Sequence, residues 1–103
     1  MSAFIVTSID VHDPEGYAIY REKARAVLQS FRIRSHIVSP LEEPPVVLEG
    51  KAPGHLVVME FDSMEEIDRF YNSPEYQEAV PYRKASATTH YVMAVNGKDA
   101  PAS

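Results

Sequence analysis

Glu60 stands in the apolar run HLVVMEFD (55–62), flanked by Met59 and Phe61. A carboxylate in such surroundings is costly unless paired, and an unpaired one keeps its proton to higher pH, which suits it to proton transfer. The competing reading is a salt bridge to Arg83 or Arg69. The planar fork of Arg83 fits a carboxylate or enolate ligand, and fits Glu60 or Glu49 equally well. His55 and His90 each open an apolar strand-like run; either would move protons if it faced a ligand, although most lone histidines are structural or solvated. Tyr17, Tyr20, Tyr71 and Tyr76 recur at helical spacing, as ligand-contacting residues or as plain core wall. Tyr71 and Tyr76 also suit the rim of a dimer.

Other chemistries find no support. The four histidines, His12, His36, His55 and His90, show no recognised metal spacing. Asp10 and His12 share a strand end and would hold a metal weakly; a loop-capping role explains them more simply. No metal site is therefore expected. The chain has no nucleophile elbow, no glycine-rich phosphate loop and no dinucleotide fingerprint, so neither covalent catalysis nor a nucleotide cofactor is expected. With no cysteine, thiolate chemistry and disulfides are excluded, which suits a reducing cytoplasm.

The elements that must position these residues follow from pattern. AFIVTSIDV (3–11) is β-branched and strand-like. Asp13 and Pro14 form a helix start, and Tyr17, Tyr20, Ala24, Val27, Leu28 and Phe31 make one apolar stripe on a helix over 14–31. IRSHIVS (33–39) reads as a weaker strand. The proline-rich PLEEPPVVLEGKAPG follows, with VVL as a short extended piece. HLVVMEFD is the clearest strand. Ser63 and Glu66 form a capping box that opens a helix carrying Ile67, Phe70 and Tyr71 on one stripe. Asn72-Ser73-Pro74 resets that helix, Tyr76, Ala79, Val80 and Arg83 continue it, and Pro81 is expected to break it, leaving two short pieces around a bend. THYVMAV (89–95) is the last strand. The order strand, helix, strand, strand, helix, strand predicts an α+β fold: a ferredoxin-like βαββαβ sandwich on a four-stranded antiparallel sheet. One domain is expected over 1–96, with a flexible tail over 97–103.

At 103 residues with a formal net charge of −5 and no basic cluster, the chain does not predict nucleic-acid binding. No run approaches the ~18 apolar residues of a membrane span, and the first residues do not read as a signal peptide. No membrane partner and a cytoplasmic location are expected.

Alternation makes both sheet faces apolar. Ile5, Thr7 and Ile9 oppose Phe4, Val6, Ser8 and Asp10; Val57, Met59 and Phe61 oppose Leu56, Val58, Glu60 and Asp62; Val92 and Ala94 oppose Tyr91, Met93 and Val95. Helices on one side cover only one face, and an antiparallel sheet with a wet face should alternate with polar residues. The same face of a second copy is the economical cover, so a homodimer with sheets face to face is expected.

DPEGYAIYREKA, VLEG, VVMEFDSMEEIDRFYNSPEYQEA and the following Arg83 together resemble the family known as domain of unknown function 1330. The spacing covers nearly the whole chain. The resemblance implies a small dimeric α+β barrel. The family's aromatic-Gly-Gly-Arg run after the first helix is replaced here by SFRIRSHIVSPLEEPP, and its Trp-Tyr by Phe70-Tyr71. The wider superfamily includes cofactor-independent monooxygenases, lactone isomerases and haem enzymes that use the cleft between helices and sheet. Two functions therefore compete: a homodimeric module binding a small, partly apolar, anionic metabolite in that cleft, or a cofactor-independent enzyme in which Glu60 with His55 or His90 moves protons and Arg83 holds an anion.

Overall fold

The computed structural model describes residues 2–51 and 54–97. The elements are β1 (Ala3–Val11), α1 (Pro14–Leu28), β2 (Ile33–Val38), β3 (His55–Phe61), α2 (Met64–Tyr71), α3 (Pro74–Ser86) and β4 (Ala87–Asn96). The sheet order is β2-β3-β1-β4, with every neighbouring pair antiparallel. This is the expected ferredoxin-like α+β arrangement, with the second helical region divided into two helices.

Local chemistry explains the helix starts. Asp13 Oδ1 accepts from the Gly16 N–H at 3.2 Å, with Pro14 in the first turn. α1 stops at Leu28, and Phe31 follows in a turn whose N–H donates to the Leu28 carbonyl. Ser63 Oγ accepts from the Glu66 N–H, but the Glu66 carboxylate turns to Arg69 instead of closing the expected capping box. Ser73 Oγ accepts from the Tyr76 N–H, so the reset at Ser73-Pro74 is real.

Two expectations need correction. Pro81 does not break the helix: α3 runs through it to Ser86. An interior proline removes one donor at a cost of about 3 kcal/mol, and burial of Tyr76, Ala79, Val80, Arg83 and Ser86 on the inner side of α3 holds the helix together across it. This continuity places Arg83 two turns below Tyr76 on one stripe. The VVL piece also forms no strand; Val46 and Leu48 are 86% and 91% exposed. Of the tail expected to be flexible, Gly97 donates its N–H to the Ser2 carbonyl, and the remainder lies outside the described residues.

All three helices cover one sheet face. Ala3, Ile5, Met59 and Phe61 from the strands share a core with Ala24, Ile67, Phe70, Tyr76 and Val80 from the helices. Phe70 is the hinge pin of this core. Its ring lies 4.5 Å from that of Tyr76, 5.4 Å from Phe61 and 5.7 Å from Phe31. α2 and α3 approach the strands closely, whereas α1 packs chiefly along α3 and its backbone stands off from the sheet. The long side chains of Tyr17, Tyr20 and Leu28 bridge part of that gap, and the rest is a cavity.

The other face carries Phe4, Val6, Leu56 and Val58, half-buried, and Ile37, Met93 and Val95, which are 59%, 50% and 52% exposed. Among the described residues the helices bury their side chains against the inner face instead. Phe70→Ala should lower unfolding free energy by about 3–5 kcal/mol, the usual result of truncating a fully buried aromatic; urea denaturation followed by circular dichroism measures it.

Candidate functional site

The cavity has a volume of about 370 Å³. Its floor is the inner face of the sheet, with Ile5 and Thr7 from β1, Val57 and Met59 from β3, and His36 and Val38 from β2. Its roof is the stripe of α1 that carries Tyr17, Tyr20, Arg21, Ala24, Arg25 and Leu28, and one end is closed by Phe70, Tyr71 and Tyr76. The helical repeat accounts for the roof, since residues three and four apart share a face.

Tyr17 lies between the two polar regions of the wall. Its ring meets Tyr20 at 5.4 Å and His55 edge-on at 5.5 Å. Burial, reinforced by the neighbouring Tyr20, pushes the Tyr17 hydroxyl well above the usual phenol range. His55 is only 4% exposed. Its Nδ1 lies 3.5 Å from Ser39 Oγ, at the outer limit of a hydrogen bond, and Nε2 has no partner among the described residues. Desolvation first, and the Arg21 charge second, hold His55 below the usual imidazole range. His36 is lowered in the same way, by desolvation and then by Arg21 and Arg25. Both imidazoles are therefore neutral near pH 7.

At the closed end, Tyr20 and Tyr76 join hydroxyl to hydroxyl at 2.8 Å, and Arg83 Nη1 donates to the Tyr76 oxygen at 3.0 Å. The Arg83 guanidinium carbon sits 5.7 Å from the centre of the Tyr20 ring. Arg83 is 3% exposed and makes no salt bridge among the described residues. Burial opposes its charge, but the oxygens of Tyr76 and Tyr20 more than offset this and raise its pKa. The Tyr76 hydroxyl is pushed well above the phenol range, chiefly by burial.

The structure thus brings together Tyr17, Tyr20, Tyr71, Tyr76 and His55 around one cavity. It separates three other candidates from it. Glu60 lies on the opposite face of the sheet, in register with Phe4 and Ser35, because β-strand alternation sets it with Leu56 and Val58. The anticipated ion pair with Arg83 or Arg69 is thereby ruled out: Arg69 pairs with Glu66, and Arg83 bonds to Tyr76. Arg83 does not line the cavity but stands behind Tyr76 and Tyr20. His90 is the extra residue of a β-bulge opposite Ser8 and Ile9; it donates through Nε2 to Asp10 Oδ2 at 2.6 Å, in an exposed pair away from His55. Asp10 is therefore engaged with His90, and among the described residues no three metal-ligating groups cluster.

Two cations and one histidine escaped the sequence reading. Arg21 and Arg25 follow Tyr17 at successive intervals of four, so helical geometry alone sets them on the tyrosine stripe. His36 precedes Val38 by two on β2 and shares its face.

The family model described as Domain of unknown function (DUF1330) matches residues 2–97. The chain belongs to this family. No curated protein matches it. Solved structures of the same fold include SnoaB, a cofactor-independent oxygenase from Streptomyces nogalater, at 11% identity and a TM-score of 0.69, covering 96% of this chain and 95% of that one. A protein of unknown function from Rhodopseudomonas palustris aligns at 16% identity and a TM-score of 0.70, covering 96% and 84%. A dimeric ferredoxin-like protein of unknown function from Jannaschia sp. CCS1 aligns at 14% identity and a TM-score of 0.66, covering 94% and 100%. At these identities the likeness establishes the fold.

The lowered His55 and His36 pKa values carry a definite pH sign. Between the folded values and the ordinary value of ~6.5, the unfolded chain binds more protons than the folded one, so stability rises with pH. Their contribution is complete above about pH 6.5 and falls as pH drops through the window below it. The urea midpoint of the wild type should decline on acidification through that window, and a His36→Gln/His55→Gln variant should decline less. Equal declines would remove these histidines from the account.

Proposed function

We propose that the chain is a homodimer that binds a small, partly apolar organic anion in the cavity beneath α1. The observation that carries the ligand reading is the sign of the charges. Among the described residues Arg21 and Arg25 line the cavity, Arg83 is buried behind it, and no Asp or Glu lines it, in a chain with 15 acidic and 10 basic residues. A cavity of about 370 Å³ with walls of Ile5, Val57, Met59 and Phe70 suits a compact molecule with one apolar body. The arginines supply the fork that binds a carboxylate or a similar anion.

The dimer reading rests on the uncovered sheet face. Phe4, Val6, Ile37, Val58, Met93 and Val95 form a contiguous apolar surface that a second copy would bury. The Jannaschia neighbour is described as dimeric, which supports this. Among the described residues no helix is long and apolar enough to cross a membrane, and a cysteine-free chain fits the cytoplasm in which we place it.

A second reading is proton-transfer catalysis without a cofactor. It is favoured by His55, a buried neutral imidazole in the cavity wall, and draws limited support from the cofactor-independent oxygenase of the same fold. In this reading His55 is the base, since Glu60 and His90 are outside the cavity. It predicts deuterium exchange at an acidic C–H of a bound ligand by the wild type and not by His55→Gln.

Calorimetric titration with 2-naphthoate and with the neutral 2-naphthamide tests the anion reading. The carboxylate should bind more tightly, and Arg21→Ala/Arg25→Ala should weaken it by about tenfold or more while leaving the amide unchanged. Equal binding of the two in the wild type would contradict it. Light scattering tests the dimer: the wild type should have twice the chain mass, and Val58→Lys/Met93→Lys should halve it. A wild-type monomer would refute the paired-sheet assembly.

A further inference from the structure

The buried Arg83 bears on which atoms of a ligand the cavity receives, and the inference drawn from it rests on the cavity being a binding site. A guanidinium only donates hydrogen bonds, so the Tyr76 oxygen must accept from Arg83 Nη1. Tyr76 is buried, and the sole other polar partner of its hydroxyl among the described residues is the Tyr20 hydroxyl, 2.8 Å away. If Tyr20 donated to Tyr76, the Tyr76 proton would be buried with no acceptor, a cost of roughly 1–3 kcal/mol. The protons therefore point one way: Arg83 donates to Tyr76, and Tyr76 donates to Tyr20. The Tyr20 proton is left over at the end of the chain, on a half-buried residue that lines the cavity.

We propose that the Tyr20 hydroxyl is a charge-backed donor for a single developing or resident oxyanion, and that the ligand is a flat conjugated phenol or enol bound with that oxygen on Tyr20. Each donor in the row is polarised by the one behind it, and the row ends in a fixed positive charge that no carboxylate among the described residues neutralises. One hydroxyl offers one proton, which matches one oxygen; a carboxylate is better served by the arginine forks of Arg21 and Arg25 at the roof. The apolar floor of Ile5, Val57 and Met59 and the ring of Phe70 suit a planar conjugated body. Arg83 is a positioning residue here, because it does not line the cavity and reaches the ligand only through Tyr76 and Tyr20.

4-Nitrophenol and its methyl ether, 4-nitroanisole, test this, since the ether has the same shape and cannot ionise. Bound 4-nitrophenol should ionise at lower pH than the free compound, seen as the visible nitrophenolate band appearing early in a pH titration with protein in excess. Tyr20→Phe should return the ionisation toward that of free 4-nitrophenol and weaken nitrophenolate binding at least tenfold, with 4-nitroanisole binding unchanged. Tyr76→Phe, which cuts the row behind Tyr20, should move the ionisation in the same direction; circular dichroism confirms that both variants are folded. If both compounds bind but ionisation is unshifted, or Tyr20→Phe leaves it unmoved, the donor row is refuted while the cavity stands. If neither compound binds, the cavity reading fails and takes this inference with it.

Discussion

Helix α1 cannot settle onto the sheet. Tyr17 and Tyr20 face the strands from it, and two phenol rings are too large for its backbone to approach as closely as α2 and α3 do. α1 rests instead along α3, and the space left beneath it is the cavity. The same contact brings Tyr20 to Tyr76, and so links the roof to Arg83. Core packing, cavity and polar row are three consequences of one constraint: large aromatic side chains at helical spacing over a flat floor.

The electrostatics follow from that geometry. A buried guanidinium without a carboxylate is normally unfavourable. Here the Tyr76 oxygen accepts from it and the Tyr20 ring lies against it, which keeps it charged in the interior. Two further arginines stand over a floor that carries no acid among the described residues. Desolvation first, and then the charge of Arg21 on both rings and of Arg25 on His36, lowers the pKa of His36 and His55, so the site is positive from fixed arginines and not from titrating histidines. A positive, apolar-floored cavity in an acidic protein is the basis for the organic anion proposed above.

Much of this was legible in the sequence. Asp13-Pro14, Ser63 and Ser73-Pro74 mark helix starts by chemistry that acts within four residues, and local signals of that kind survive folding. Alternation separated Glu60 from Met59 and Phe61, but which face the helices cover depends on tertiary packing, and so Glu60 looked like a site residue when it faces away from the cavity. Pro81 misled because its local penalty is outweighed by the burial of Tyr76, Val80 and Arg83 around it. The bulge that turns His90 to Asp10 has no signature in the residues around it. Arg21 and Arg25 were readable from their spacing to Tyr17; a charged residue on a helix is by default assigned to solvent, and here the solvent side of α1 is partly its inner side.

The most direct measurement is a long-range nitrogen–proton correlation spectrum of the four imidazoles during titration with 2-naphthoate. The four signals belong to His12, His36, His55 and His90. His36 and His55 should begin as neutral rings and shift together as the anion enters, while His12 and the His90 paired with Asp10 stay in place. Shifts confined to His12 and His90, or none at saturating anion, would contradict a binding site beneath α1.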